Sequence, residues 1–250
     1  MANHGLPHEN RPRSSEELIQ IHADTLFLSD ATGRLRFNAD PGYPEAELEP
    51  APRFWLGRTQ RGATWRLRVD LPADLALTLD GIAQTIAPAS DPRILPAQAN
   101  AIREALQTHA PITGEWAGPA YWVPDPPSVP PAAVVITPDT ADLLAPHFPW
   151  KQTPRALRAA GPLVATIVGG RAVAICYCAR LTAVAAEAGV ATTESARGHG
   201  YGQAAVAGWA IALQRQGILP MYSTSWDNHA SQGIARRLAM IPYADTWAIL

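Results

Sequence analysis

The sequence predicts a mixed α+β fold, with a mainly antiparallel sheet flanked by helices and a further α+β segment ahead of it. Three observations predict it. Leu163–Val168 and Arg171–Cys178 read as strands around Gly169-Gly170, a strong hairpin signal. Ala185–Thr192 reads as a strand running into the glycine-rich loop Arg197-Gly198-His199-Gly200-Tyr201-Gly202, which opens a helix. A second strand and helix follow, and this strand–helix–strand–helix unit implies one parallel crossover.

In chain order, residues 1–14 are polar and read as a disordered lead. Glu16–Ala23 suits a short helix capped by Ser14 or Ser15. Thr25–Leu28 and Leu35–Asn38 flank Asp30-Ala31-Thr32-Gly33, a hairpin. Arg53–Thr59 and Thr64–Val69 flank Gln60-Arg61-Gly62, a second hairpin whose arginines suit an exposed sheet face. Asp74–Ile86 and Pro96–His109 look helical, with Pro96 tolerated in a first turn. Trp116–Val123 reads as extended. Residues 124–131, Pro-Asp-Pro-Pro-Ser-Val-Pro-Pro, favour a stiff extended linker, or else a rigid surface loop. The expected organisation is therefore an N-terminal α+β domain over 15–123, the linker, and a second domain over 132–250.

In the second half, Val134–Ile136 begins a short strand and Asp139–Ala145 a helix capped by Thr137 or Asp139. After the Gly169-Gly170 hairpin and the Ala185–Thr192 strand, a helix runs from about Gly200 to Gln216. Val206, Trp209 and Leu213 lie on one side of it, and Gly217 and Pro220 stop it. Met221–Trp226 is a strand, Ala230–Ala239 a helix, and Ile241–Leu250 a final strand. That last strand leaves little room for another beside it, so the sheet is completed there either by the first half or by a partner chain, as in a homodimer.

Bulk properties narrow the function. The hydrophobic content of 47% suits a globular core. No apolar run is long enough for a membrane span, and the polar N-terminus lacks the apolar core of a signal peptide, so the expected location is cytoplasmic. Through residue 128 there are 11 basic and 16 acidic residues, and from 129 onward 9 basic and 6 acidic. A mildly cationic second half suits a small anionic ligand and is too weak to argue for nucleic acid. Cys176 and Cys178 are the only cysteines. Two apart on a strand, they share a face and read as small core residues or as a redox pair; they are too few for a structural zinc, and no metal is expected.

The segment Ala185–Gly202 carries the function reading. A helix start offers unpaired N–H groups and a partial positive charge, and glycines let the backbone close on a phosphate. The loop lacks the Lys-Ser/Thr of a P-loop, and Gln203 occupies the position where a dinucleotide fingerprint would place its third glycine. Arg197, Gly200 and Gly202 instead complete a pattern of Arg or Gln, two residues, Gly, one residue, and Gly or Ala. Together with the downstream stretch from Trp226 to Leu238, this resembles the GNAT superfamily of N-acetyltransferases over roughly Val134–Leu250.

The resemblance implies a GNAT-like sheet and acetyl-CoA as co-substrate. Val190, Ala191 and Thr192 would line its pantetheine arm. Arg197, Gly198, His199, Gly200, Tyr201 and Gly202 would wrap its pyrophosphate. Asn228 and Ser231 would lie near it from the other side, with helix capping as the alternative for Asn228. The acceptor would be a primary amine, on a small molecule or on a protein. Glu187 stands near where the family often has a base; a solvent-facing or paired glutamate is the alternative. The family's tyrosine acid would fall near Ala235, so Tyr222 is the candidate for that role, beside Tyr201 and Tyr243. Ser223 and Ser225 share a strand face that could line an acceptor pocket. The missing tyrosine motivates a second reading, a CoA or acyl-CoA sensor without turnover. Independently of that choice, the first half reads as a degenerate copy of the same fold or as a separate α+β domain that shapes the acceptor site.

Overall fold

The structure is a computed structural model and describes residues 13–88, 90–124, 133–159 and 161–250. The expected disordered lead lies outside these residues except for Arg13 and Ser14, and the expected linker lies outside them except for Pro124.

Helix α1 (Ser15–Leu26) begins where Ser14 and Glu17 close a capping box, each side chain accepting from the other's backbone N–H. Strands β1 (Phe27–Ser29) and β2 (Leu35–Asn38) form a separate hairpin. Its turn is held by the Asp30 carboxylate, which accepts from the Thr32 and Arg34 N–H groups, and by Gly33 at a φ of +81°. Then follow β3 (Phe54–Arg58), β4 (Ala63–Leu67), α2 (Ala73–Ala83), α3 (Ala99–His109) and β5 (Glu115–Trp122). The second half comprises β6 (Ala133–Val135), α4 (Pro154–Ala159), β7 (Val164–Val168), β8 (Arg171–Leu181), β9 (Ala185–Thr192), α5 (Tyr201–Gln214), β10 (Leu219–Ser223), α6 (His229–Arg237) and β11 (Ile241–Ile249). The helix expected over Asp139–Ala145 is a 3-10 helix, Pro138–Leu144. Helix α4 and the 3-10 turns Glu45–Glu47 and Pro149–Lys151 are too short to show periodicity in the sequence.

Among the described residues, nine strands form one sheet in the order β4-β3-β11-β5-β10-β9-β8-β7-β6. All neighbours are antiparallel except β9 and β10. The expected class, a mainly antiparallel sheet flanked by helices, is thus the one observed. Strand β11 lies between β3 and β5, so the first half completes the sheet beside the C-terminal strand. The expected boundary at 124–131 falls between two strands of this common sheet. No described helix is long and apolar enough to cross a membrane.

Alternation along the strands sorts the core onto two faces. One face packs under α5 and α6 through residues such as Cys176, Ala186, Val206, Trp209 and Tyr222, and under α2 and α3 through Phe54, Leu56, Leu79 and Trp247. The other packs under α1 through Ile19, Trp55, Ala120, Ala185 and Met221, and continues to Leu144, Phe148 and Ile175.

The arginines at the two ends of β3, Arg53 just before it and Arg58 within it, correct the expectation of an exposed face. Arg53 and Arg58 are buried. The Arg53 guanidinium donates to the carbonyls of Leu106, Ala110, Pro111 and Leu250, so it ties the end of α3 to the last residue of the chain. Arg58 donates through Nε and Nη2 to Oδ2 of Asp245 at 2.9 and 2.7 Å, and through Nη2 to the Ile94 carbonyl. Charged side chains enter a core when paired, and a sequence does not show the pairing. Oδ1 of Asp245 has no partner, and burial pushes the carboxyl up to about 6 despite Arg58. The unfolded carboxyl titrates near about 3.9. Between those values the native state binds the extra proton, so this group's contribution to stability falls as pH rises from about 4 through 6. Replacing Arg58 by Met should cost about 3 kcal/mol in a denaturant titration at pH 8, where an ionised Asp245 is left alone. At pH 5, where Asp245 protonates, the loss should be clearly smaller; equal losses would contradict the ion pair as its source.

Candidate functional site

The one parallel pair, β9 and β10, opens partway along. Its register runs Leu219↔Ala185, Pro220↔Ala186 and Met221↔Glu187, and stops. Strand β9 continues to Thr192, still paired to β8 on its other edge. Beyond Ser223 the chain turns over β5 instead: Thr224 N–H donates to the Pro119 carbonyl and Trp226 N–H to the Ala117 carbonyl. Gly118 permits this crossing. A Cβ there would overlap the Thr224 carbonyl and stand 2.7 Å from Ser225 Cα. Buried Gln232 of α6 fastens the same segment, its side-chain amide donating to the carbonyls of Ser225 and Trp226 at 3.1 and 2.7 Å. The β10-facing edge of residues 188–192 is left open.

Glu187 sits at the apex of this opening, 5% exposed. Its Oε1 accepts from Ser223 N–H at 2.6 Å and from Ser223 Oγ at 2.7 Å. The carboxylate thus replaces a ladder acceptor at the point where β9 no longer reaches β10. Its Oε2 lies 3.3 Å from Nε2 of His22 in α1, outside hydrogen-bond geometry. His22 is fully buried, both of its ring nitrogens lack hydrogen bonds, and its ring meets Tyr243 edge-on at 5.9 Å; the Tyr243 hydroxyl is likewise buried without a partner. Of the alternatives for Glu187, solvent exposure is corrected: it is buried and paired, because the departing strand needs its oxygen.

The glycine-rich loop lies where β9 passes into α5. Gly198 and Gly200 have φ of +81° and +80°, a left-handed backbone that side chains disfavour, and no atom stands within 4 Å of a Cβ built at either. Gly200 is the N-cap of α5, and Ala204 N–H returns to its carbonyl, so the N–H groups of Tyr201, Gly202 and Gln203 precede the first helical bond. Gly202 is buried: a Cβ there would stand 2.9 Å from Thr192 Oγ1, so the first turn of α5 lies directly on β9. Val190 and Thr192 face this helix, and Ala191 faces the opposite side. Arg197 is exposed and has no ion pair among the described residues. His199 stacks on Tyr201, with ring centroids 5.6 Å apart and planes 10° from parallel.

Across the opening, Asn228 is the N-cap of α6 and accepts from Ser231 N–H at 3.0 Å. Arg237 Nε donates to Gln203 Oε1 and ties α6 to the first turn of α5. Helix α5 follows β9 and helix α6 follows β10, so both come after the C-terminal ends of a parallel strand pair, the crevice where open α/β sheets hold ligands. Tyr222 is buried on the α5–α6 face, and burial pushes its phenol up to about 12, opposed by a hydrogen bond with Ser231. Ala235 is buried within α6. Cys176 and Cys178 are free core thiols, both raised by burial; Trp209 Nε1 donates to Cys178 Sγ. No group of three His, Cys, Asp or Glu among the described residues is placed to hold a metal.

The structure thus sets the open edge 188–192 against the first turn of α5, which the 197–202 loop opens, with Glu187 where the β9–β10 register stops, while the Asn228–Ser231 cap begins the helix after β10. Sequence reading did not find His22, Gly118, Gln232 or the pairing of Ser223 with Glu187. His22 reads as one residue of an amphipathic helix, and Gly118 as one glycine in a strand, which at most marks a close backbone approach.

No family model and no curated protein matches the sequence. Among solved structures the chain is similar to GNAT acetyltransferases over most of its length. A putative GNAT acetyltransferase from Novosphingobium aromaticivorans is 16% identical, over 56% of this chain and 66% of that one, with a TM-score of 0.44. This chain therefore spans just under two thirds of that protein. A GNAT-family acetyltransferase from Colwellia psychrerythraea is 13% identical, over 95% of this chain and 97% of that one, with a TM-score of 0.44. A tandem GNAT protein from the clavulanic acid biosynthesis pathway is 14% identical, over 95% and 96%, with a TM-score of 0.45.

If Glu187 pins the end of β10, its replacement by Ala should cost about 2 kcal/mol, because the Ser223 N–H loses its acceptor. Gln keeps a carbonyl oxygen and should cost clearly less. Equal losses for the two variants in urea unfolding would show that the carboxylate oxygen does not hold the strand.

Proposed function

We propose that the protein is an N-acetyltransferase that binds acetyl-CoA in the β9–β10 opening and passes the acetyl group to a primary amine in a ternary complex. The observation that carries this reading is the opening itself, an unpaired strand edge running toward a left-handed glycine loop at a helix N-terminus. An extended amide chain can add to the free edge of 188–192 as a strand would. A pyrophosphate suits the 197–202 loop, where Gly198 and Gly200 leave room for close approach and Arg197 is available for charge pairing. Asn228 and Ser231 would border the ligand from α6.

Bound acetyl-CoA supplies an acetyl group activated as a thioester. An attacking amine must lose a proton, and Glu187 is the carboxylate at the apex; its Oε2 is buried beside His22, so it would receive that proton through a water rather than directly. The leaving sulfur must gain a proton. Tyr222, a phenol that keeps its proton at neutral pH, is the candidate to give one, although burial makes it a weaker acid.

A second reading is favoured by the same details. Glu187 is buried with one oxygen committed to Ser223, and Ala235 stands where the resembled family has its tyrosine. A module with this arrangement would hold CoA or acyl-CoA without turnover. Calorimetry tests what both readings share: acetyl-CoA should bind the folded protein, and Arg197→Glu should weaken it at least about tenfold through lost charge pairing. An absence of binding would refute both. Thiol release over a panel of amines, lost in Arg197→Glu, separates the enzyme from the sensor.

A further inference from the structure

Lysine occurs once in this chain, at position 151. It stands in a cavity of about 400 Å³ between β8, the α4 segment and the loop after β2. Tyr177 and Trp150 meet there edge-to-face, with centroids 5.6 Å apart and planes at 80°. The Lys151 ammonium lies in the corner between them, 3.7 Å from the Tyr177 ring centroid and 4.9 Å from that of Trp150. It has no ion pair among the described residues, and burial lowers its pKa, with Asp40 opposing. Arg155 covers the ring of Tyr43 at 4.4 Å, and Arg180 lines the wall along β8.

The lining selects a ligand class. Trp150 and Tyr43 are 51% and 53% exposed, so two large rings face solvent around a concave site, where ligands gain most from aromatic contact. Lys151, Arg155 and Arg180 stand against Asp40 alone in the lining; Glu47 reaches Arg155 only as an exposed pair at 3.6 Å, which weighs little. A cationic ligand would meet ring faces already taken by cations. An acid with a flat ring would pair with the lysine and stack on the exposed part of Trp150. The cavity also adjoins the crevice: Tyr177 crosses Gly189, where a Cβ would stand 2.5 Å from its Cζ, and Gly189 lies two residues from Glu187 on the same face of β9.

We propose that this cavity binds a small planar organic acid, its ring against the solvent-facing Trp150 and its acid group on Lys151 and Arg180. Resting on the acetyltransferase reading, this acid is the acceptor, an amine that carries its own acidic group.

The single lysine makes the test direct. The full-length wild-type protein is acylated with an N-hydroxysuccinimide ester at pH 8, and peptide mass separates Lys151 from the N-terminal amine. Benzoate or indole-3-acetate at millimolar concentration, about ten times its Kd, should slow acylation of Lys151 roughly tenfold, as occupancy of the site leaves about a tenth of the lysine uncovered. Benzamide, indole-3-acetamide and inorganic phosphate should not. Equal protection by the amides or by phosphate, or no protection by either acid, overturns the inference. Acetyl-CoA binding measured on the same sample keeps the two readings apart. Protection by the acids without acetyl-CoA binding leaves the cavity site standing and removes the acetyltransferase reading. Acetyl-CoA binding without protection does the reverse. With both present, 4-(aminomethyl)benzoate should be acetylated at least about tenfold faster than 4-methylbenzylamine, a preference of about 1.4 kcal/mol; equal rates overturn the acceptor assignment.

Discussion

The departure of β10 from β9 is the constraint on which the rest of the site depends. Two parallel strands in one sheet pair along their length unless something draws them apart. Here three contacts do so together. Gly118 lets the chain after Ser223 cross β5 at a distance no side chain would permit. Gln232 holds the crossing segment by two carbonyls. Glu187 satisfies the Ser223 N–H that β9 no longer reaches. Only with all three does the edge of 188–192 stand open beside the helix starts without leaving a buried donor unpaired.

The two ends of the crevice differ physically. At the loop end the backbone is exposed and built of left-handed glycines, beside the exposed Arg197. At the apex the polar groups are buried, and several of them, His22, Glu187 Oε2 and the Tyr243 hydroxyl, lack hydrogen bonds. Unmatched polar atoms clustered in a core cost stability, and such costs concentrate where chemistry is carried out. The first half of the chain is built into this end: α1 brings His22 and β5 brings Gly118, so the segment before residue 124 is part of the site rather than an attachment to it.

Much of the fold was legible because local signals and tertiary packing agree. Ala185–Thr192 was bounded correctly by its apolar run and the glycines beyond it, and the Ser14 cap and the Gly169-Gly170 turn carry their own chemistry in sequence. The glycine loop was legible for the same reason. Asn228 was legible as a cap and is one. What could not be read were contacts between distant segments: Arg58 paired with Asp245, Glu187 bonded to Ser223 and close to His22, and Gly118 beneath Thr224. Periodicity reports which face a residue takes, not what stands across from it. Charged residues on β3 therefore read as surface although their partners lie 187 positions away in one case and in helix-end carbonyls in the other.

Amide hydrogen exchange measured with and without CoA tests the central claim most directly, since it reports on backbone N–H groups one by one. If the open strand edge and the glycine loop hold the cofactor, CoA slows exchange in 188–192 and 198–203 while the outer strands β4 and β6 stay unchanged. Protection elsewhere, with these two segments unaffected at saturating CoA, would contradict the β9–β10 opening as the binding site.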